Sequence, residues 1–151
     1  MNIARTKVDP ATGNETGVIM AKQILRSSGG QRHTSPIPQG VIANGFIFLS
    51  AIRGLDVETQ KVVQDVEQQA RQAFKILQNT LEGAGGSLAD VVSIAVYMKH
   101  LQKNRPIFNK VWEEVFGNEP PARFAAEVTD IGTEGDGTEF LLSVTAVAPA
   151  R

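Results

Sequence analysis

Arg123 stands in the stretch Pro120-Pro121-Ala122-Arg123-Phe124-Ala125-Ala126-Glu127-Val128, whose residue types point most directly to chemistry. Two prolines cannot continue a helix, and the residue before a proline is pushed toward extended backbone, so a strand is expected from Ala122. On that strand Arg123 shares a face with Ala125 and Glu127, while Phe124, Ala126 and Val128 point the other way. A guanidinium beside an alanine has space around it, and its planar fork of donors suits the carboxylate of a small ligand. The plainer alternative is an arginine neutralised by a nearby acid, and Glu127 faces the right side for that. Both readings stand at this point.

Other chemistry is limited by composition. The chain has no cysteine, so disulfides, thiolate nucleophiles and cysteine-bound metal sites are excluded. Its two histidines, His33 and His100, lie far apart in sequence without a carboxylate at ligand spacing, and no metal or cofactor is expected. Fifteen Lys plus Arg balance sixteen Asp plus Glu, which argues against a nucleic-acid partner held by a basic field. Nothing approaches the ~20 apolar residues of a membrane span, so no membrane partner and a cytoplasmic location are expected. With 151 residues, 42% of them hydrophobic, the chain reads as one globular domain.

The elements that must carry Arg123 follow from periodicity. Ile3 to Val8 and Gly17 to Leu25 flank the turn formers Asp9 to Asn14 and read as an extended pair. Ser27-Ser28-Gly29-Gly30 has the composition of a mobile linker, making residues 1–30 an N-terminal extension of hairpin and linker before a main domain over 31–151. Val41–Ala43 and Phe46–Leu49 flank Asn44-Gly45, a strong hairpin signal. Val66, Ala70, Ala73, Phe74, Leu77 and Leu81 form one helical stripe, stopped by Gly83, Gly85 and Gly86. Val91–Met98 is a β-branched strand. A second helix is expected to open near Pro106, with Phe108, Val111, Trp112, Val115 and Phe116 inward. Glu113-Glu114 read as a solvated helix face. The acidic, glycine-rich loop 130–137 reads as a hairpin connection to a last strand over Glu139–Val147. The result is an α+β sheet with both helices on one face, its other face left bare for a partner copy.

Taken in order, several segments resemble the Rid family, the reactive-intermediate (enamine/imine) deaminases also labelled endoribonuclease L-PSP-like or translation-inhibitor-like. They are Ser35-Pro36-Ile37-Pro38-Gln39-Gly40-Val41, Gly45–Ser50, Leu81–Gly86, Leu88–Val92, Phe108–Phe116 and Pro121-Ala122-Arg123. The resemblance covers about residues 35–148. It implies a chorismate-mutase-like fold and a barrel-like homotrimer with ligand pockets between subunits. It also implies that Arg123 grips the carboxylate of a small imino or amino acid, with Ser50 lining the pocket and Asn109 fixing the architecture beside it. In active members, water attacks the imine carbon and releases ammonia and a 2-keto acid.

The chain departs from the family pattern at three places. Ile37 replaces a usual tyrosine, Ala125 a frequent cysteine, and Leu141 falls where a water-positioning glutamate is expected. Glu139, two residues earlier, shares the face of Leu141 by strand periodicity and is the candidate catalytic substitute. The expected activity is hydrolytic deamination of a small enamine or imine carboxylate. The alternative is a trimeric module that binds small carboxylates without turnover.

Overall fold

A computed structural model describes residues 3–150. The first two residues of the expected N-terminal extension and the last of the main domain, Arg151, lie outside the described residues. Seven strands form one sheet: β1 (Ile3–Val8), β2 (Glu15–Leu25), β3 (Gly40–Ala43), β4 (Phe46–Leu49), β5 (Val91–Met98), β6 (Ala122–Glu127) and β7 (Phe140–Val147), with spatial order β1-β2-β3-β4-β7-β5-β6. Helices α1 (Val66–Gly83) and α2 (Leu101–Phe116) cover one face of it. The class is α+β, as expected.

Local chemistry explains the element ends. Asn44 and Gly45 both take positive φ, the geometry of a tight hairpin turn whose twist matches its strands. Asp65 caps α1 by accepting from the Gln68 amide at 3.0 Å. Ser87 and Asp90 form a reciprocal capping box on the short 3₁₀ turn Leu88–Asp90, after which the β-branched run begins β5. The helix expected to open near Pro106 instead begins at Leu101. Its start is fixed by the Glu127 carboxylate, which accepts from the Leu101 amide at 2.9 Å, so Pro106 falls inside the helix.

The core lies between helices and sheet. Phe74, Phe108, Trp112 and Phe140 are buried, and Phe108 meets Phe140 edge-to-face at 5.1 Å between centroids. Gln69 is fully buried and stitches α1 to the start of β7, donating to the Gly137 carbonyl at 2.9 Å and accepting from the Glu139 amide at 3.0 Å. Gly54 passes so close that a Cβ there would lie 2.4 Å from the Gln69 backbone, so only glycine fits.

Two expectations change. β6 runs parallel to β5, and β7 pairs antiparallel with β5 on its other side, so loop 128–139 crosses over β5 and does not close a hairpin. Ser27–Gly30 is a fastened turn: Gln39 accepts from the Ser27 amide and donates to the Ser27 and Gln31 carbonyls, while Asn79 donates to Gly29. A loop composition says nothing about such tertiary ties. The preceding β2 also pairs with β3 through Gln23–Leu25, which joins the N-terminal hairpin to the sheet.

The opposite sheet face is uncovered in the single chain. Phe46, Phe48, Val92, Phe124 and Val147 are exposed on it at 41–57%. Among the described residues no helix is long and apolar enough to cross a membrane.

Candidate functional site

Arg123 is set by β6 and α2 together. Register pairs Arg123 with Ile94 of β5, a core-facing position, so its side chain leaves the edge strand on the helix side. There α2 presents Asn109 and Trp112, three residues apart and therefore on neighbouring turns. The guanidinium donates to Asn109 Oδ1 at 2.7 Å and lies 4.9 Å above the Trp112 ring. One hydrogen bond and one stacked face fix its plane and leave the rest of the donor fork open.

Among the described residues no acid pairs with Arg123. Glu127, the candidate partner on the same strand face, is committed to the Leu101 amide. Burial, and secondarily the nearby Arg105, pull the Arg123 guanidinium below its ordinary value, though an arginine stays cationic at neutral pH. An oriented cation that lacks a counter-charge and has a second cation nearby is stabilised by an incoming anion. That is the chemistry the arrangement can do.

The other expected site residues fall in separate places. Ala125, two positions along β6, packs against the core on the same side as Arg123. Ser50 follows β4 and donates to the Pro38 carbonyl at 2.6 Å, while Ile37, 46% exposed, sits in the loop before β3. Sheet order puts β4 three strands from β6, about 14 Å at ordinary strand spacing, so one small ligand cannot touch Arg123 and Ser50 of the same chain. Leu141 stands opposite Tyr97 on the uncovered face.

Glu139 does not join either group. It precedes β7, level with Lys99, whose amide donates to its carbonyl at 2.8 Å. That is five positions along the sheet from Arg123, about 16 Å. Its carboxylate accepts from the buried Asn104 at 3.0 Å and lies 3.5 Å from His100, on the helix side and not on the face of Leu141. Strand periodicity does not extend to a residue outside the strand, which is why the expected shared face fails. Among the described residues no three His, Asp or Glu side chains gather as a metal site.

Trp112 is the residue that sequence reasoning left out of the site. Its place on the apolar stripe reads as core, and it is buried, yet one ring face is the platform for Arg123. The usable signal was the three-residue spacing of Asn109 and Trp112 on one helix.

Comparison with known proteins agrees with this fold. The family described as Endoribonuclease L-PSP matches residues 32–144. A RutC family protein of Pyrococcus abyssi is 34% identical over 111 residues, covering 73% of this chain and 87% of that protein. The solved structure of a probable translation initiation inhibitor from Rhodopseudomonas palustris superposes with a TM-score of 0.77 at 27% identity, covering 85% of this chain and 99% of that one. The E. coli protein TdcF, solved with bound serine, gives a TM-score of 0.75 at 22% identity over 83% and 98% of the two chains.

Proposed function

The chain belongs to the endoribonuclease L-PSP, or Rid, family, and on that premise we propose that it hydrolyses a small enamine or imine carboxylate to a 2-keto acid and ammonia. The observation that carries this reading is the Arg123 guanidinium, held by Asn109 and Trp112 and without an acid partner among the described residues. In the reaction the substrate carboxylate occupies the open side of that fork, which fixes the adjacent imine carbon. Water adds to that carbon while the C=N electron pair moves to nitrogen and takes up a proton. The resulting carbinolamine then breaks its C–N bond, loses its hydroxyl proton and releases ammonia. A protonated imine is already electrophilic, so orientation and charge neutralisation can supply much of the acceleration without a strong base. Glu139 carries no step in this reading.

The pocket is completed by a neighbouring copy in a homotrimer. Ser50, Ile37 and Leu141 lie too far from Arg123 to meet its ligand in one chain, and the uncovered sheet face offers the contact surface. The serine bound to TdcF is likewise a small amino acid with a carboxylate. Ile37, Ala125 and Leu141 make such a pocket more apolar than the usual family pattern, which favours a substrate with an aliphatic or aromatic side chain.

A second reading is binding without turnover, favoured by the absence of a free carboxylate beside Arg123. One experiment separates the two. The protein is incubated with imino acids generated in situ, and ammonia release is followed for wild type and Arg123→Ala. Release above the buffer rate, lost in the variant, supports deamination. Release at the buffer rate for short, branched and aromatic imines, with 2-keto acids still bound, supports the binding module instead.

A further inference from the structure

Arg105 is a second cation on the seam between α2 and β6 that holds Arg123. Helix α2 runs antiparallel to β6: the amide of Leu101, at its start, meets Glu127 at the end of the strand, and Asn109 meets Arg123 near the strand's beginning. Four strand residues advance about 13 Å and eight helical residues about 12 Å, so helix and strand stay level between those two ties. Arg105 is midway between Leu101 and Asn109, and Ala125 is midway between Glu127 and Arg123. That sets Arg105 level with Ala125, on the helix face of Asn109 and one turn, about 5.4 Å, before it.

No acid neutralises this second cation. The residues one turn from Arg105 on α2 are Leu101, Gln102, Phe108 and Asn109, none of them charged. Among the described residues Arg105 forms no ion pair, and its guanidinium donates to Gln102 Oε1 at 3.1 Å, leaving its other donors open. Burial first, and the Arg105 charge second, pull Arg123 below its ordinary value, so the two guanidiniums interact. Ala125 offers only a methyl at the level of Arg105, and β6 is an edge strand, so no further strand of this chain closes the space beside them. Like charges held side by side repel, and a dianion that reaches both relieves the repulsion at each end.

We propose that Arg105 is a specificity-determining residue of the Arg123 site and that the site takes a dicarboxylate. Arg123 holds the carboxylate next to the imine carbon, and Arg105 holds the one at the far end of a short aliphatic chain. A separation of one helical turn suits carboxylates about two or three carbons apart, with carbon–carbon bonds of about 1.5 Å. This rests on the Arg123 reading above and narrows it, from an aliphatic side chain to one that ends in a charge. Arg105 touches no reacting atom in this arrangement.

The test is calorimetry on the full chain with 2-oxoglutarate and with 2-oxopentanoate, which has the same carbon chain without the second carboxylate. The wild type is expected to bind the dicarboxylate about tenfold or more tightly, the worth of one charge-assisted hydrogen bond. Arg105→Gln should abolish that preference and leave the affinity for 2-oxopentanoate unchanged, while Arg105→Lys should recover part of the preference. The side chain is exposed, so the variants should keep the circular dichroism spectrum of the wild type. Arg123→Ala should weaken both acids, and this arm separates two kinds of failure. Equal binding of the two acids by the wild type, or a preference that survives Arg105→Gln, overturns this inference alone if both acids still depend on Arg123. Binding that ignores Arg123→Ala, or no binding of either acid at millimolar concentration, overturns it together with the reading on which it rests.

Discussion

A guanidinium that stacks on one ring and shares one amide is held by its plane, and a lysine cannot copy that hold. Arg123→Lys should therefore recover little of what Arg123→Ala loses, and Asn109→Ala should weaken 2-keto acid binding by about tenfold, the worth of one charged hydrogen bond. Calorimetry with a 2-keto acid reads both, and equal affinity in the lysine variant would contradict the planar grip. Glu139→Gln is expected to leave ammonia release within a few-fold of wild type, because the carboxylate serves Asn104 and His100 and lies about 16 Å along the sheet from Arg123. At this scale the sequence announces Arg123, because two prolines force the strand that carries it. It does not announce Trp112, since an apolar helical position predicts burial and says nothing of what rests on the face of the ring. His33 adds a pH signature. Burial first, and Arg53 second, hold its imidazole below 6.5, so the folded chain binds fewer protons than the unfolded one just below that value. Stability should fall as pH drops from 6.5 toward the folded midpoint, and an NMR titration of His33 should place that midpoint below 6.5. Arg53→Gln should restore only the smaller part of the shift.

Helices and strands meet through polar ties that pattern alone cannot predict. Gln69 is polar and absent from the apolar stripe read for α1, yet it is fully buried and satisfies Gly137 and Glu139. Gln69→Leu keeps the helix and the volume but strips the half-buried Gly137 carbonyl and Glu139 amide of their partner, a cost of up to about 1–3 kcal/mol each. The urea midpoint of the variant should drop accordingly, and an unchanged midpoint would mean that water reaches both groups. The same limitation explains the start of α2. Pro106 is the strongest local signal, but the helix begins five residues earlier because Glu127, distant in sequence, supplies its cap. Glu114 is exposed, as read, and from that solvated face it also forms an ion pair with Arg71 at 2.7 Å, tying α2 to α1. The apolar stripe of α1, the Asn44-Gly45 hairpin and the β-branched β5 were all legible, because their information is local. The crossover from β6 to β7 was not, because two extended runs joined by a loop specify no strand order.

For the whole molecule, both helices pack together on one face of the sheet and leave the other face without a layer. The uncovered face is broad and aromatic: Phe46 and Phe48 on β4 lie 6.2 Å apart between ring centroids, and Phe124 on β6 meets Tyr97 on β5 at 6.3 Å. Exposed apolar area of this extent is uncommon on a monomer and marks an association surface. Phe124 also follows Arg123 directly, on the opposite side of the same edge strand, so whatever covers Phe124 borders the anion grip. Assembly and ligand binding should therefore fail together. Phe124→Asp places a charge in the contact without touching the core, since the ring is 57% exposed in the single chain. Sedimentation should show the proposed trimer replaced by monomer, circular dichroism should show the fold retained, and 2-keto acid affinity should fall about as far as in Arg123→Ala. A monomer that binds the acid as tightly as wild type would place the complete pocket within one chain, and the shared-site reading would not survive it.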